Sequence, residues 1–453
     1  MPENLSPNDM TPDLQPRIRA LELVPLSEED ESMYALRDPY GFSETVALPM
    51  GAAMLVTLMN GERTLGDLRR EFEHKVGKSI SLPDVQRVVN QLDQRYMLDN
   101  QRFADYQEEL KTQYKQLKVR PAAHAGGAYE EGVQELNTQL GNLFTSEGGP
   151  GLLPWEGNNS QKETDGSNPV QNGSQSDEVP NSIDHELCAV MSPHIDLHRG
   201  GPTFAWAYDR VVADSDADIY IILGTAHTPL ASLFSVSQKH FDTPLGTVQT
   251  DHAFIADLKS RLEACDNASE VEDIFNDELP HRSEHSIEFQ TLMLQYVLGE
   301  RRNYSIVPIL VGSFHPFVQH NRPPGDSEAV ADFIHVLRET ASQSKKKICF
   351  IAGVDLAHIG QQFGDSELLT DARLTEQWTD DQELLARACE GDAEAWFIHV
   401  AAQADKNRIC GLAPMYVMLK VIGACRGELL KYDHAVADDR TSCVSFASVA
   451  FYK

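Results

Sequence analysis

The chain of 453 residues carries 69 acidic against 38 basic side chains, a formal net charge of −31 at pH 7, and 41% hydrophobic residues. So acidic a surface repels phosphate backbones and anionic lipid, which excludes nucleic acid and membrane surfaces from the expected partners. The length suits about two or three domains and the hydrophobic share a folded globular protein, and no apolar run reaches the roughly 18 residues of a membrane helix.

The first 32 residues are rich in proline and acids and have little periodicity. Over 1–32 they predict a flexible leader without a basic, apolar targeting segment, hence a cytoplasmic protein, with order beginning at a short strand near "ALELVPL". The seven cysteines are odd in number, lie beyond residue 187 and form no CxxC pair, which suits reduced thiols better than a disulfide framework.

Residues 33–106 form the first predicted domain. Leu65, Leu68 and Phe72 fall at i, i+3 and i+7. After Ser81, an N-cap candidate with Pro83 just inside the helix, Val85, Val88, Val89 and Leu92 repeat such a face. Two amphipathic helices and a strand-like end outline a small winged-helix unit. "TLMNGERTLGDL" and "VVNQLDQRYML" resemble the PqqD-like winged-helix domains, and this resemblance implies a peptide ligand added as a strand to an exposed sheet edge. The same packing residues also suit a small helical domain that docks on a neighbour. Residues 107–118 read as a helical connector.

The second domain is expected over 119–453, with a disordered insertion at 145–182 where Gly, Pro, Ser, Asn, Gln and acids dominate. Beyond it, "LCAVM", "DIYIILG", "YSIVPILVG", "KICFIAG" and "CVSFASVAFY" read as strands, with helical segments around 202–212, 251–264, 285–299, 326–343 and 367–390. Short, almost wholly apolar strands between helices predict an α/β fold whose central sheet, mostly parallel or mixed, is flanked by helices. Ligands gather beyond the carboxyl ends of strands in such sheets.

The polar residues fall where that rule places a site. Four strands are followed by histidine: His194 in "SPHID", His227 in "TAHTP", His315 in "SFHPF" and His358 in "VDLAH". "HRSEHSIEFQ" adds His281, Glu284, His285 and Glu288 at the start of a helix, and "NRICGLAPMYVMLK" adds Cys410 at another. Imidazole and thiolate suit borderline divalent metals, so histidines from separate strands with one cysteine or carboxylate make a credible open metal site. An open centre needs only three protein ligands, which leaves other histidines for proton transfer or orientation. Asp196 either orients His194 or caps the next helix. Ser442, in "DDRTSC", either reaches the pocket or belongs to a turn.

"HAGGAYEE", "SPHID", "GTAHTPL", "EHSIEFQ", "VPILVG", "VDLAHIGQQFG", "ICGLAPMYVMLK" and "DDRTSCVSFASVAF" occur in the order found in the Memo family, including its bacterial members named AmmeMemoRadiSam system protein B. The resemblance spans about 119–453 and implies a fold similar to class III extradiol dioxygenases. It places metal ligands on His194, His227 and Cys410, and lines the pocket with the catalytic candidates Asp355, His358 and His285. It also implies company with a radical SAM enzyme and an AMMECR-type partner protein. "HIDLHRGG" departs from the His-Ala-Gly-Tyr of many members and sets Asp196 and His198 where they carry an aromatic wall.

The resemblance to the dioxygenases points to iron, while a thiolate in place of a carboxylate softens the site toward copper or zinc; iron or copper is expected, with zinc as a further option. Three functions follow: a mononuclear metal-dependent redox or oxygenase-type enzyme, in which His285 or His358 transfers protons; a zinc-dependent hydrolase; or a non-catalytic scaffold that binds peptides through the pocket and the winged-helix domain.

Overall fold

In the computed structural model, which describes residues 11, 13–26, 33–155, 186–265 and 271–453, the chain divides into two units, Met1–Leu117 and Lys118–Lys453. In the first, strands β1 (Glu22–Pro25), β2 (Met33–Arg37) and β3 (Val46–Pro49) form an antiparallel sheet in that order. Helices α1 (Met50–Leu58), α2 (Leu65–Val76), α3 (Leu82–Gln94) and α4 (Gln101–Gln116) follow. Thr64 and Asp67 close a capping box that starts α2, and Ser81 with Pro83 starts α3. Leu65, Leu68, Phe72, Val85, Val89 and Leu92 are buried together, whereas Val88 is only half-buried.

Two expectations need correction here. The strand expected near "ALELVPL" is β1, but the leader before it is not loose across 13–19: Arg17 and Ile18 bridge to Asn60 and Leu98, and Leu14 packs on the helical core with Leu21 and Leu23. The helices leave apolar surface that this stretch covers, and Arg19 is buried against Asp38 at 3.0 Å. The remainder of the leader lies outside the described residues. The connector helix starts at Gln101, where Asn100 accepts the Phe103 N–H and caps it.

The second unit contains β4 (Val119–Arg120), α5 (Val133–Thr145), β5 (Leu187–Ser192), α6 (Leu197–Asp214), β6 (Ile219–Thr225), β7 (Phe234–Val236), β8 (His240–Thr243), β9 (Gly246–Val248), α7 (His252–Leu262), α8 (Val271–Asn276) and α9 (His285–Val297). It continues with β10 (Ser305–Val311), α10 (His315–Gln319), α11 (Glu328–Gln343), β11 (Ile348–Gly353), β12 (His358–Ile359), α12 (Asp371–Cys389), α13 (Ala393–Ala402), α14 (Leu412–Ile422), β13 (Arg426–Val436) and β14 (Cys443–Tyr452). An eight-stranded mixed sheet runs β12-β14-β5-β11-β6-β10-β7, with β13 also paired to β14. Its centre, β5-β11-β6-β10, is parallel, and β14 and β7 flank it antiparallel.

The alternation of strand side chains divides the core. Ile219, Ile221 and Leu223 of β6 pack with α7, α11 and α14, while Tyr220 and Ile222 pack with α6 and α9 on the opposite face. Burial on both faces is why these strands read as unbroken apolar runs. Residues 146–155, the start of the expected insertion, are held in place: Leu153 is buried and the Gly151 N–H donates to the Phe144 carbonyl at 2.9 Å. From 156 to its end at 182 the insertion lies outside the described residues.

Register then sets the level of the strand ends. Gly353 of β11 pairs with Ser192 of β5 on one side and Gly224 of β6 on the other. Residues two or three further along these three chains therefore leave the sheet side by side.

Candidate metal centre

His194, Asp355 and His227 are those residues. The His194 Nδ1 lies 2.8 Å from the Gly353 carbonyl oxygen. A carbonyl only accepts, so Nδ1 carries the proton and Nε2 presents its lone pair. His227 places Nδ1 3.0 Å from the Glu284 carboxylate, and His285 places its Nδ1 3.3 Å from the same oxygen. The three rings stand 4.7 to 5.2 Å apart between centroids. One nitrogen from each lies within 4.8 Å of those of the other two. The Cys410 sulfur, in the loop before α14, is 3.4 Å from the His194 Nε2.

Glu284 organises two of these rings. It is the N-cap of α9, accepting the N–H groups of His285 and Ser286, and it also takes the backbone N–H of His227 at 2.9 Å. Burial alone would raise its pKa, but the His227 ring and these hydrogen bonds hold it well below the usual carboxylate range. In return, Glu284 outweighs burial at His227 and raises that imidazole's pKa. At His194 burial prevails, with the neighbouring His227 adding to it, and lowers the pKa to about 3. Burial likewise lowers His285 far below its ordinary value.

Asp355 accepts the His194 N–H at 3.0 Å, and burial raises its carboxyl to about 6. Burial, followed by Asp355, pushes the Cys410 thiol far up. A cavity of about 440 Å³ opens beside the cluster, lined among others by His227, His358, Cys410, Phe363, Asp405 and Arg408. His358 stands edge-on to Phe363, 5.1 Å between ring centroids.

Other expected residues go elsewhere. His315 lines the same cavity but is exposed on α10, its Nε2 beside Gln319 at 3.0 Å. His281 is buried against Ser235, away from the three rings, and Glu288 pairs with Arg120. Asp196 caps α6 by accepting the Arg199 N–H at 3.1 Å, so the capping alternative holds. His198 beside it is exposed. Ser442 belongs to the turn before β14, where its carbonyl accepts the Ala437 N–H. The organising role of Glu284 and the buried Arg120 escaped the sequence reading; a carboxylate directly before His285 was the available signal for the first, and Arg120 had none.

Among the described residues no helix is long and apolar enough to cross a membrane. A family model described as Memo-like protein matches residues 120–450. A MEMO1 family protein of Aquifex aeolicus is 26% identical over 442 residues, 97% of this chain and 100% of its own length. One from Methanopyrus kandleri is 28% identical over 73% of this chain and 98% of its own. Another, from Sulfolobus acidocaldarius, is 32% identical over 53% of this chain and 70% of its own. The Aquifex alignment thus takes in the N-terminal unit as well.

Proposed function

The chain belongs to the Memo family, and on that premise we propose that it is a metal-dependent protein, redox or oxygenase-type in its chemistry, whose centre is held by His194, His227 and Cys410 with His285 as a further donor. One observation carries this reading: His194, His227 and His285 each bring a ring nitrogen within 4.8 Å of those of the other two, with the Nδ1 atoms of His194 and His227 turned to fixed acceptors, beside a thiol and an open cavity. Three imidazoles so close together beside an open cavity suit a shared cation, and outward-held Nδ1 protons are the usual orientation of metal-bound histidine. The donor set fits a borderline or soft ion, iron or copper ahead of zinc. Such an ion, when bound, would supply electron transfer and a place for a chelating substrate.

The residues around it divide the remaining work. Gly353 and Glu284 orient the rings, and Asp355 holds the His194 backbone. His358 borders the cavity within reach of a bound molecule, so it is the candidate for proton transfer there. Metal analysis of the full chain purified without oxygen tests the reading. Near-stoichiometric iron or copper is expected, lost in the His194→Ala, His227→Ala double variant. Zinc alone would favour hydrolysis, and a metal-free protein that keeps its fold would overturn the centre.

A second reading concerns the first unit. Among the described residues β3 pairs only with β2, and beside it lies a groove of about 540 Å³ lined by Val46, Leu48, Phe72, Val88, Arg87 and Arg95. This arrangement favours a peptide bound as an added strand, as the PqqD-like resemblance implies. Half-buried Val88, which lines this groove at the edge of the core, is the residue to replace: Val88→Asp should abolish peptide capture and leave metal content unchanged.

A further inference from the structure

A buried guanidinium lies behind the imidazole cluster, and the metal-centre reading gives it no task. Arg120 is fully buried. Its Nε donates to the His281 carbonyl at 2.5 Å, its Nη2 to the Glu284 carbonyl at 2.9 Å and its Nη1 to the Pro121 carbonyl at 3.1 Å. The same Nη1 stands 2.6 Å from the Glu288 carboxylate. His281 and Glu284 belong to the turn that leads into α9, and Glu288 sits one helical turn further on, so a single planar group grips the start of the helix from both sides. Glu288 also accepts the N–H groups of Ala123 and His124, at 3.1 and 2.9 Å, and the Tyr129 hydroxyl. The 120–129 stretch is thereby closed around the same carboxylate.

Stability alone does not explain such an arrangement, because a buried ion pair commonly contributes no more than well-packed apolar residues would. What a guanidinium supplies is direction: five donors in a rigid plane that can span two carbonyls and a carboxylate at once. The turn it grips carries the cluster. The carboxylate of Glu284 holds the His227 ring, and His285 follows it directly.

We propose that Arg120 is a positioning residue for the imidazole cluster, setting the first turn of α9 and through it the places of His285 and, by way of Glu284, of His227. The consequence for metal binding rests on the metal-centre reading; the geometry does not. A lysine would keep the charge beside Glu288 but could not span the two carbonyls.

The test compares full-length Arg120→Lys with Leu258→Ala, a core variant on α7 across the sheet that serves as the control for lost stability. In Co(II) titrations Arg120→Lys should bind about 10- to 100-fold more weakly than the wild type, while Leu258→Ala binds normally. In metal-free protein labelled with 15N-histidine, the signals of His227 and His285 should move in Arg120→Lys and stay in place in Leu258→Ala. The second readout needs no metal: a wild type that binds no Co(II) would sink the metal centre yet still decide the role of Arg120. A folded Arg120→Lys protein with wild-type affinity and unmoved imidazole signals overturns the proposal. Should that variant fail to fold, Tyr129→Phe, which removes one donor from Glu288, is read by the same signals: movement supports the role of this network and none overturns it.

Discussion

The Glu284 carboxylate accepts the Nδ1–H of His227 at 3.0 Å. Because that carboxylate is also the N-cap of α9, the orientation of a ring delivered by β6 depends on where a helix on another part of the chain begins. Two elements distant in sequence are joined through one side chain.

Replacing Glu284 by glutamine should therefore act on stability and metal together. Gln retains one acceptor and turns an NH₂ group toward N–H donors that now have no partner. Each buried donor left unpaired costs about 1–3 kcal/mol. Urea unfolding should shift to lower midpoints, and Zn(II) or Co(II) should bind roughly 10- to 100-fold more weakly. Unchanged metal affinity in the folded variant would remove Glu284 from the organisation of the site.

Gly353 ends β11 where α9 crosses the sheet. A Cβ there would lie 2.4 Å from the Ser286 backbone oxygen, which cannot move without shifting the helix. Gly353→Ala should destabilise the chain by about 1–3 kcal/mol, as overpacking does, and displace the His285 end of α9. Thermal denaturation together with a crystal structure of the variant checks both effects; a wild-type melting temperature would contradict them.

Asp381, which touches none of the three imidazoles, supplies a pH test. It is fully buried on α12, where Gln377 and Tyr432 donate to it at 2.7 and 2.9 Å. Burial still outweighs these bonds and raises its pKa from 3.8 to about 6. The folded state then holds this proton more tightly than the unfolded one, so wild-type stability falls as pH rises from about 4 to 6 and levels off above. The loss amounts to about 3 kcal/mol at most. Asp381→Asn lacks this loss, so its stability relative to wild type should grow across that interval and stay constant from pH 7 to 8. Urea unfolding at pH 4, 5, 6, 7 and 8 measures it; a difference independent of pH would refute the assignment.

The parts of the site legible in sequence were those delivered by strands. A strand covered on both faces must be apolar throughout, so the polar residues after β5, β6 and β11 stood out as candidates, and His194, His227 and Asp355 do leave the sheet together. Strand β13 escaped notice because its exposed and half-buried residues form no apolar run. The spacing of Val88 with Val85 and Leu92 places it against the core, where it does pack, but no spacing shows that it also lines the groove beside β3.

By itself the amino-acid order determined the alternation of buried strands and helices, and with it the edge of the sheet where chemistry could gather, since both follow from local periodicity. Whether a given histidine reaches the site was decided only in three dimensions. His281 and His285 lie four residues apart, but one turns to Ser235 and the other to the cluster, because Glu284 and Arg120 set the turn between them. Those partners come from distant segments, and no spacing along the chain encodes a contact that exists only once the sheet and α9 have packed together.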